Sequence, residues 1–299
     1  MVLDHMSVFT TSAFAKVNLF LSVGAKRADG YHTVDTVMQA MSLQDTVTLT
    51  VAPALAGEDR VEFVTNCSFG AAEQNLGMIA LRAYCRAAKI SGYRAILQIE
   101  KRIPAGAGFG GGSADAAAVL RLCQQAFAAL EKNELIALAA KIGADVPFGL
   151  QGGCCRATGF GQELCGLPSL PPCYAVLAFG GEGVRTALAY EAVDSLPTGE
   201  QPSSATLLSA LQSGNLSQIC AAMYNRFSTA VLPQRPVSVA LLDVLHQTGA
   251  QGALLSGSGA GVFGLFLPQA KQAAIEAAAH ICSMGHIAYV CEPQDCLEA

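Results

Sequence analysis

The chain has 299 residues, 52% hydrophobic and 14% charged, and its 23 acidic and 18 basic residues give a formal net charge of −5. That length accommodates two domains with separate cores, and the composition excludes a disordered chain. The acidic balance and the lack of any lysine/arginine run argue against a nucleic-acid-binding surface.

Residues 253–267, the longest weakly polar run, are rich in Gly and Ser and too short to span a bilayer. The N-terminus lacks the basic flank and long apolar core of a signal peptide. The eleven cysteines contain no C-x-x-C pair, and the five histidines do not cluster near them. A structural metal is therefore not expected, and small buried thiols in a reducing cytoplasm are.

In chain order, residues 13–23 alternate. Ala15, Val17, Leu19, Leu21 and Val23 share one face, and Lys16, Asn18, Phe20 and Ser22 the other, which predicts a half-buried strand. Its second face is either solvated or offers Lys16 and Asn18 as a donor pair for an anion. Asp29-Gly30 signals a hairpin turn, with Tyr31 and His32 just past it. Strands are expected at 46–51 and 60–64. Over 75–89, Leu76, Ile79, Ala80, Ala83 and Ala87 form a helical apolar face.

A strand over Tyr93–Glu100 then leads to a stretch with five glycines in seven positions, 106, 108, 110, 111 and 112, followed by Ser113 and a helical segment over 113–130. Strand, glycine loop and helix are what a phosphate needs. The backbone can approach closely without Cβ atoms, and the helix start adds unpaired N–H donors and a positive dipole end. No lysine follows the glycines, as a Walker A loop would require. Gly106, Gly108 and Gly111 fit G-x-G-x-x-G, with Glu131 about 20 residues on. Residues 101–104, however, separate these glycines from the strand, which disfavours a dinucleotide-binding oxidoreductase.

A second helix over 133–142 is expected to stop at Gly143. Asp145 follows, wedged between Ala144, Val146 and Pro147. A carboxylate there is either a turn cap or a positioned base. Pro168, Pro171 and Pro172 read as a linker, and the second half opens with a strand over Tyr174–Phe179. Residues 197–204 read as polar loop. Helices are expected at 205–212, 216–227, 237–247 and 271–284, and a last strand over Ile287–Cys291. Between them, residues 252–266 form a second glycine-rich loop flanked by apolar segments.

Three stretches stand together in order: 13–21 with Lys16-Val-Asn-Leu-Phe-Leu, the loop 104–117, and Leu255-Ser256-Gly257-Ser258-Gly259-Ala260. They resemble the three motifs of the GHMP small-molecule kinases. Arg27-Ala-Asp-Gly-Tyr-His32 and Gly143-Ala-Asp-Val-Pro-Phe148 narrow the likeness to members with a cytidine-bearing substrate.

The resemblance implies an α+β, two-domain GHMP kinase fold. Residues 1–165 would form an N-terminal ribosomal-protein-S5-like ATP-binding domain and 166–299 a C-terminal ferredoxin-like domain. It implies transfer of the γ-phosphoryl of ATP, with Mg²⁺, to the 2-hydroxyl of 4-diphosphocytidyl-2-C-methyl-D-erythritol in non-mevalonate isoprenoid biosynthesis. The partner is thus a small molecule carrying a cytidine diphosphate group, with no nucleic acid and no membrane, and the protein a cytoplasmic monomer or homodimer. Mevalonate, homoserine or a sugar would be the substrate of another member.

By the same resemblance Asp145 is the catalytic aspartate, and Lys16 orients it and stabilises charge during transfer. Asn18, Tyr31, His32, Thr186 and Tyr190 hold the substrate, with His32 hydrogen-bonding the cytosine and Tyr31 and Tyr190 on its two faces. Asn75 and Lys101 lie near the adenosine, and Pro104, Gly106, Gly108, Gly110, Gly111, Gly112 and Ser113 wrap the phosphates. Ala114 departs from the family pattern, which has a second serine there. Phe148-Gly149 and residues 180–185 depart from it as well.

Overall fold

The computed structural model describes residues 5–28, 30–54, 59–67, 71–161, 163–197 and 199–295; Asp29 of the expected turn lies outside them. The chain folds into two compact units that interleave along the sequence. One comprises Met1–Ala15, Gln44–Ile103 and Gly111–Gln151, the other Lys16–Leu43, Pro104–Gly110 and Gly152–Ala299. Two long strands, β1 (Ser7–Lys26) and β2 (His32–Pro53), contribute to both.

In the first unit follow β3 (Arg60–Thr65), α1 (Leu76–Ala87), β4 (Tyr93–Glu100), α2 (Gly111–Phe127), α3 (Lys132–Ile142) and α4 (Val146–Gln151). The second half of β2 runs antiparallel to β4, from Thr46↔Glu100 to Pro53↔Tyr93, and β3 runs parallel to β4. This register sets Val47, Leu49 and Val51 opposite Ile99, Leu97 and Ala95, and all six are buried. They form one core with Met78, Leu81 and Tyr84 of α1 and with α2. Full burial of a residue such as Leu97 contributes roughly 1.5–3 kcal/mol. Helix α2 is buried almost throughout, from Ala114 to Cys123 apart from Arg121, as expected of a helix apolar on nearly every side.

The second unit adds β5 (Cys154–Thr158), β6 (Glu163–Leu167), β7 (Tyr174–Phe179), α5 (Thr186–Asp194), α6 (Ala205–Ser213), α7 (Leu216–Ala222), β8 (Tyr224–Asn225), α8 (Arg226–Val231), α9 (Pro236–Gln247), β9 (Gly252–Leu255), β10 (Val262–Phe266), α10 (Lys271–Ser283) and β11 (Ile287–Cys291). The first half of β2 pairs with β5, which forms a hairpin with β6. A separate antiparallel sheet has the order β11-β7-β10-β9. Numbered within itself this is 4-1-3-2 with a β-α-β-β-α-β succession, the ferredoxin-like arrangement expected for the C-terminal half. Its central strands β7 and β10 are buried on both faces, hence their unbroken apolar runs.

Several expectations need correction. The Lys16-Asn18-Phe20 face of β1 is not solvated: 5%, 3% and 1% of these residues is exposed. The strand at 46–51 begins at His32, because turn-adjacent polar residues hid its first half. The sequence reading did not expect strands β5 and β6, which lie between the glycines at 152–153 and the Pro168–Pro172 linker. The helix expected over 216–227 breaks into α7, β8 and α8: Met223 is extended, and the Asn225 side chain accepts from Phe227 N–H to start α8. Helix α3 does stop at Gly143, as expected, with that glycine in an extended conformation. Among the described residues seven cysteines, 85, 123, 154, 155, 173, 220 and 291, are buried, as expected of small core thiols. Among the described residues no helix is long and apolar enough to cross a membrane.

Candidate active site

In the second unit the glycine loop is anchored by alternate residues. Ala107 and Phe109 are buried, while Gly106 is exposed. The carbonyl oxygens of this segment turn into the protein. Ala107 C=O accepts from Gly261 N–H (2.9 Å), Gly108 C=O from Ser256 Oγ (3.0 Å) and Phe109 C=O from Lys16 N–H (2.9 Å). With the acceptor side used in this way, the N–H side of the loop is the side suited to an anion. Gly106, Gly108 and Gly110 have φ of +70°, +80° and +73°. A methyl group on Gly108 would lie 2.1 Å from Ser256 O, and one on Gly110 2.9 Å from Lys16 Cγ. Gly108→Ala is therefore expected to lower nucleotide affinity at least tenfold, through a left-handed strain of ~1–2 kcal/mol and a forced displacement of the 256 backbone. Calorimetric titration with ADP checks it.

Lys16 is held from below. Its Nζ donates to Asn18 Oδ1 (2.6 Å), Asn18 Nδ2 donates to Thr36 Oγ1 (2.9 Å), and Thr36 Oγ1 donates to Phe20 C=O (2.7 Å). That relay fixes the Asn18 amide with its oxygen toward the ammonium. The 256–261 turn closes over the same region. A methyl on Gly257 would lie 3.3 Å from Lys16 Nζ. Buried Asn225 donates from Nδ2 to both Leu255 C=O and Gly257 C=O, each at 2.8 Å. The Thr186 and Ser258 hydroxyls stand 3.3 Å apart.

Also in the second unit, His32 stacks on Tyr190, with ring centroids 4.9 Å apart and planes 21° from parallel. Tyr190 meets Phe227 edge-on. His32 Nε2 lies 2.7 Å from Asp194 Oδ1, and Lys26 Nζ 3.0 Å from Asp194 Oδ2. Hydrogen bonds from Lys26 and then His32 hold the Asp194 carboxyl below the usual range. An ionised carboxylate only accepts, so Nε2 carries the proton toward Asp194. The structure thus sets His32 against the Tyr190 face that the resemblance reserved for cytosine. Tyr31 is 68% exposed and meets Phe160 edge-on.

The first unit carries the remaining residues. Helix α2 begins at Gly111, so Gly111, Gly112 and Ser113 form its first turn, where backbone N–H groups lack intrahelical partners. Asp145 is half-buried immediately before α4, its C=O accepting from Gly149 N–H (3.1 Å). Asn75 caps α1, its Oδ1 accepting from Gly77 N–H (2.8 Å). Lys101 is 9% exposed, with its ammonium bound to Asp45 and Asp115. Among the described residues no group of three or more His, Cys, Asp or Glu could hold a metal ion.

The sequence reading missed Asp194, Asn225, Asp45 and Asp115. Two of them left a signal. Asp194 lies four residues from Tyr190, one helical turn along the same face, and Asp115 is an acid within the otherwise apolar run from Ala114 to Leu120.

The profile described as the GHMP kinases N terminal domain matches residues 75–154, and that described as GHMP kinases C terminal matches 207–284. The 4-diphosphocytidyl-2-C-methyl-D-erythritol kinase of Desulfitobacterium hafniense is 37% identical over 269 residues, 89% of this chain and 88% of that protein. Its counterpart in Gloeobacter violaceus is 37% identical over 278 residues, covering 90% and 89%. Among solved structures, a 4-(cytidine 5'-diphospho)-2C-methyl-D-erythritol kinase superposes with a TM-score of 0.78 at 34% identity, covering 95% of this chain and 99% of that one. The homoserine kinase of Cytophaga hutchinsonii, at TM-score 0.71 and 20% identity, shares the fold.

Proposed function

This chain belongs to the GHMP kinase family, and within it we propose that it transfers the γ-phosphoryl group of ATP to the 2-hydroxyl of 4-diphosphocytidyl-2-C-methyl-D-erythritol, giving the 2-phosphate and ADP. The observation that carries the proposal is the Gly106–Gly110 loop, with its carbonyls turned inward, leading into α2 and packed on Lys16. The names of the relatives support the choice of substrate. The two family profiles fall on either side of residue 165, which supports an N-terminal domain over 1–165 and a C-terminal domain over 166–299 along the sequence, while Lys16–Leu43, Pro104–Gly110 and the residues from Gly152 belong to the compact unit of the C-terminal half.

Phosphoryl transfer needs placement and charge stabilisation more than covalent help. The N–H groups of Gly106, Gly108, Gly110, Gly111, Gly112 and Ser113 receive the phosphates, with Pro104 stiffening the approach. Asp145 takes the proton of the 2-hydroxyl as its oxygen bonds to the γ-phosphorus and the bridging β–γ P–O bond breaks, releasing ADP. Lys16 offsets negative charge on the transferring group, and Asn18 aims Lys16. Mg²⁺ entering on the ATP phosphates would neutralise part of their charge, which suits an ion that keeps waters and needs few protein ligands.

Tyr31, His32, Tyr190 and Thr186 hold the cytidine end, with Asp194 keeping the His32 ring oriented. Asn75 acts through the start of α1. The buried ammonium of Lys101 is engaged by two carboxylates, which argues for a role other than touching adenosine.

The test is ADP release with ATP, Mg²⁺ and 4-diphosphocytidyl-2-C-methyl-D-erythritol, beside arms with mevalonate and homoserine. Turnover is expected with the cytidine substrate alone. Release only with mevalonate or homoserine would overturn the substrate assignment, and release with none would overturn the kinase reading.

A further inference from the structure

The glycine loop holds three glycines at positive φ, Gly106, Gly108 and Gly110, and one buried ionic cluster grips the residues at both of its ends. Asp45, on β2, accepts from Arg102 N–H (2.5 Å) and Ile103 N–H (2.8 Å) through Oδ1, and from Lys101 Nζ through Oδ2. Lys101 Nζ also donates to Asp115 Oδ2 (2.6 Å), five residues into α2 counting from Gly111. The side chains of Asp45, Lys101 and Asp115 are 0%, 5% and 3% exposed. Gly111 brings the helix start against this cluster, since a methyl there would lie 3.2 Å from Lys101 Nζ and 3.0 Å from Ile103 Cγ2.

The cluster is poor as a mere stabiliser. Two carboxylates face one ammonium, and apolar replacements of buried ion groups are often neutral or stabilising. Asp115 Oδ1 is buried without a hydrogen-bond partner among the described residues. Burial pushes the Asp115 carboxyl above the usual carboxylate range, with Asp45 adding to the rise against the pull of Lys101. For Lys101, burial works against the charge, but Asp115 and Asp45 outweigh it and hold the ammonium above the usual lysine value.

Its placement supplies a reason to keep it. Ordering each residue of a loop costs conformational entropy, and glycine loses most, so free ends would drain affinity from any ligand that orders residues 104–110. Fixing the ends beforehand removes part of that cost.

We infer that Lys101, Asp45 and Asp115 are positioning residues that clamp the two ends of the glycine loop and so raise its affinity for the nucleotide phosphates. This inference rests on the kinase reading and assigns Lys101 a task within it. Lys101→Met leaves two buried carboxylates together and is a poor test, because it jeopardises folding. Asp115→Asn keeps size and shape and removes the charge that holds Lys101 to α2.

For Asp115→Asn the expected result is about a tenfold weaker affinity for ADP and for a non-hydrolysable ATP analogue by calorimetry. The KM for the alcohol substrate and kcat should stay within about twofold of the unaltered protein. Unchanged nucleotide affinity would overturn the inference. So would parallel loss of both substrates with a marked fall in melting temperature, since that pattern belongs to general loss of structure. If the unaltered protein binds neither nucleotide, the kinase reading itself fails, an outcome separable from either of these.

Discussion

Asp145→Asn is expected to lower phosphorylation by at least about a hundredfold while leaving nucleotide binding and melting temperature near their original values. The carboxamide matches the carboxylate in size but cannot accept the proton of the attacking hydroxyl. The backbone at this point is well anchored. Asp145 C=O accepts from Gly149 N–H, and Val146, Pro147 and Phe148 behind it are buried. The substituted side chain therefore starts from the same place, and a loss of turnover reports chemistry rather than a moved loop. Rates equal to those of the unaltered protein would reduce Asp145 to the helix-start residue that its position before α4 also suits.

Lys16→Met is expected to cost about 10²–10³-fold in kcat, the scale of removing one preorganised charge-stabilising group. Methionine nearly matches the lysine stem in length, so the packing of Gly110 against Lys16 Cγ is kept while the ammonium is lost. Asn18 Oδ1 loses a 2.6 Å charged donor in a site where both residues are buried, and a stability loss of ~1–3 kcal/mol is expected with it. Thermal melting of the variant separates this from the catalytic effect. Lys16→Arg should not rescue turnover, because the bulkier guanidinium has to fit where even a methyl on Gly257 would lie 3.3 Å from Nζ. Near-normal turnover in Lys16→Met would remove Lys16 from the phosphoryl-transfer machinery, whereas near-normal turnover in Lys16→Arg would show that either cation serves there.

Much of the fold was legible because it rests on short-range periodicity. The strands Tyr93–Glu100, Tyr174–Phe179 and Ile287–Cys291 appear where alternation or an apolar run predicts them. The glycine loop leading into a helix was legible too, since glycine content and the alanine-rich segment after it are local signals. Periodicity failed where a long-range partner decided the outcome. The face of β1 carrying Lys16 and Asn18 has the pattern of a solvated strand, and it is buried because the chain around 109 and 256–257 packs against it. The helix expected over 216–227 has continuous helical character. It breaks at 223–225 because Asn225 is committed to the carbonyls of residues 255 and 257 and β8 pairs with β1.

By itself, then, the sequence determined the order of most elements, the position of the glycine loop between a strand and a helix, and, through the order of its motifs, the kinase family. It also singled out Lys16, Asp145 and His32. What it left undecided are the partners of those groups and of Lys101. Asp194 is 162 residues from His32, Asp45 is 56 from Lys101, and Thr36 is 18 from Asn18. Whether a lysine reaches a ligand or is held in a buried cluster depends on which distant carboxylates the strand register brings to it and on how much water the packing removes. Residue type and spacing carry neither quantity, so only the tertiary structure could assign Lys101 to Asp45 and Asp115, and His32 to Asp194 and Tyr190.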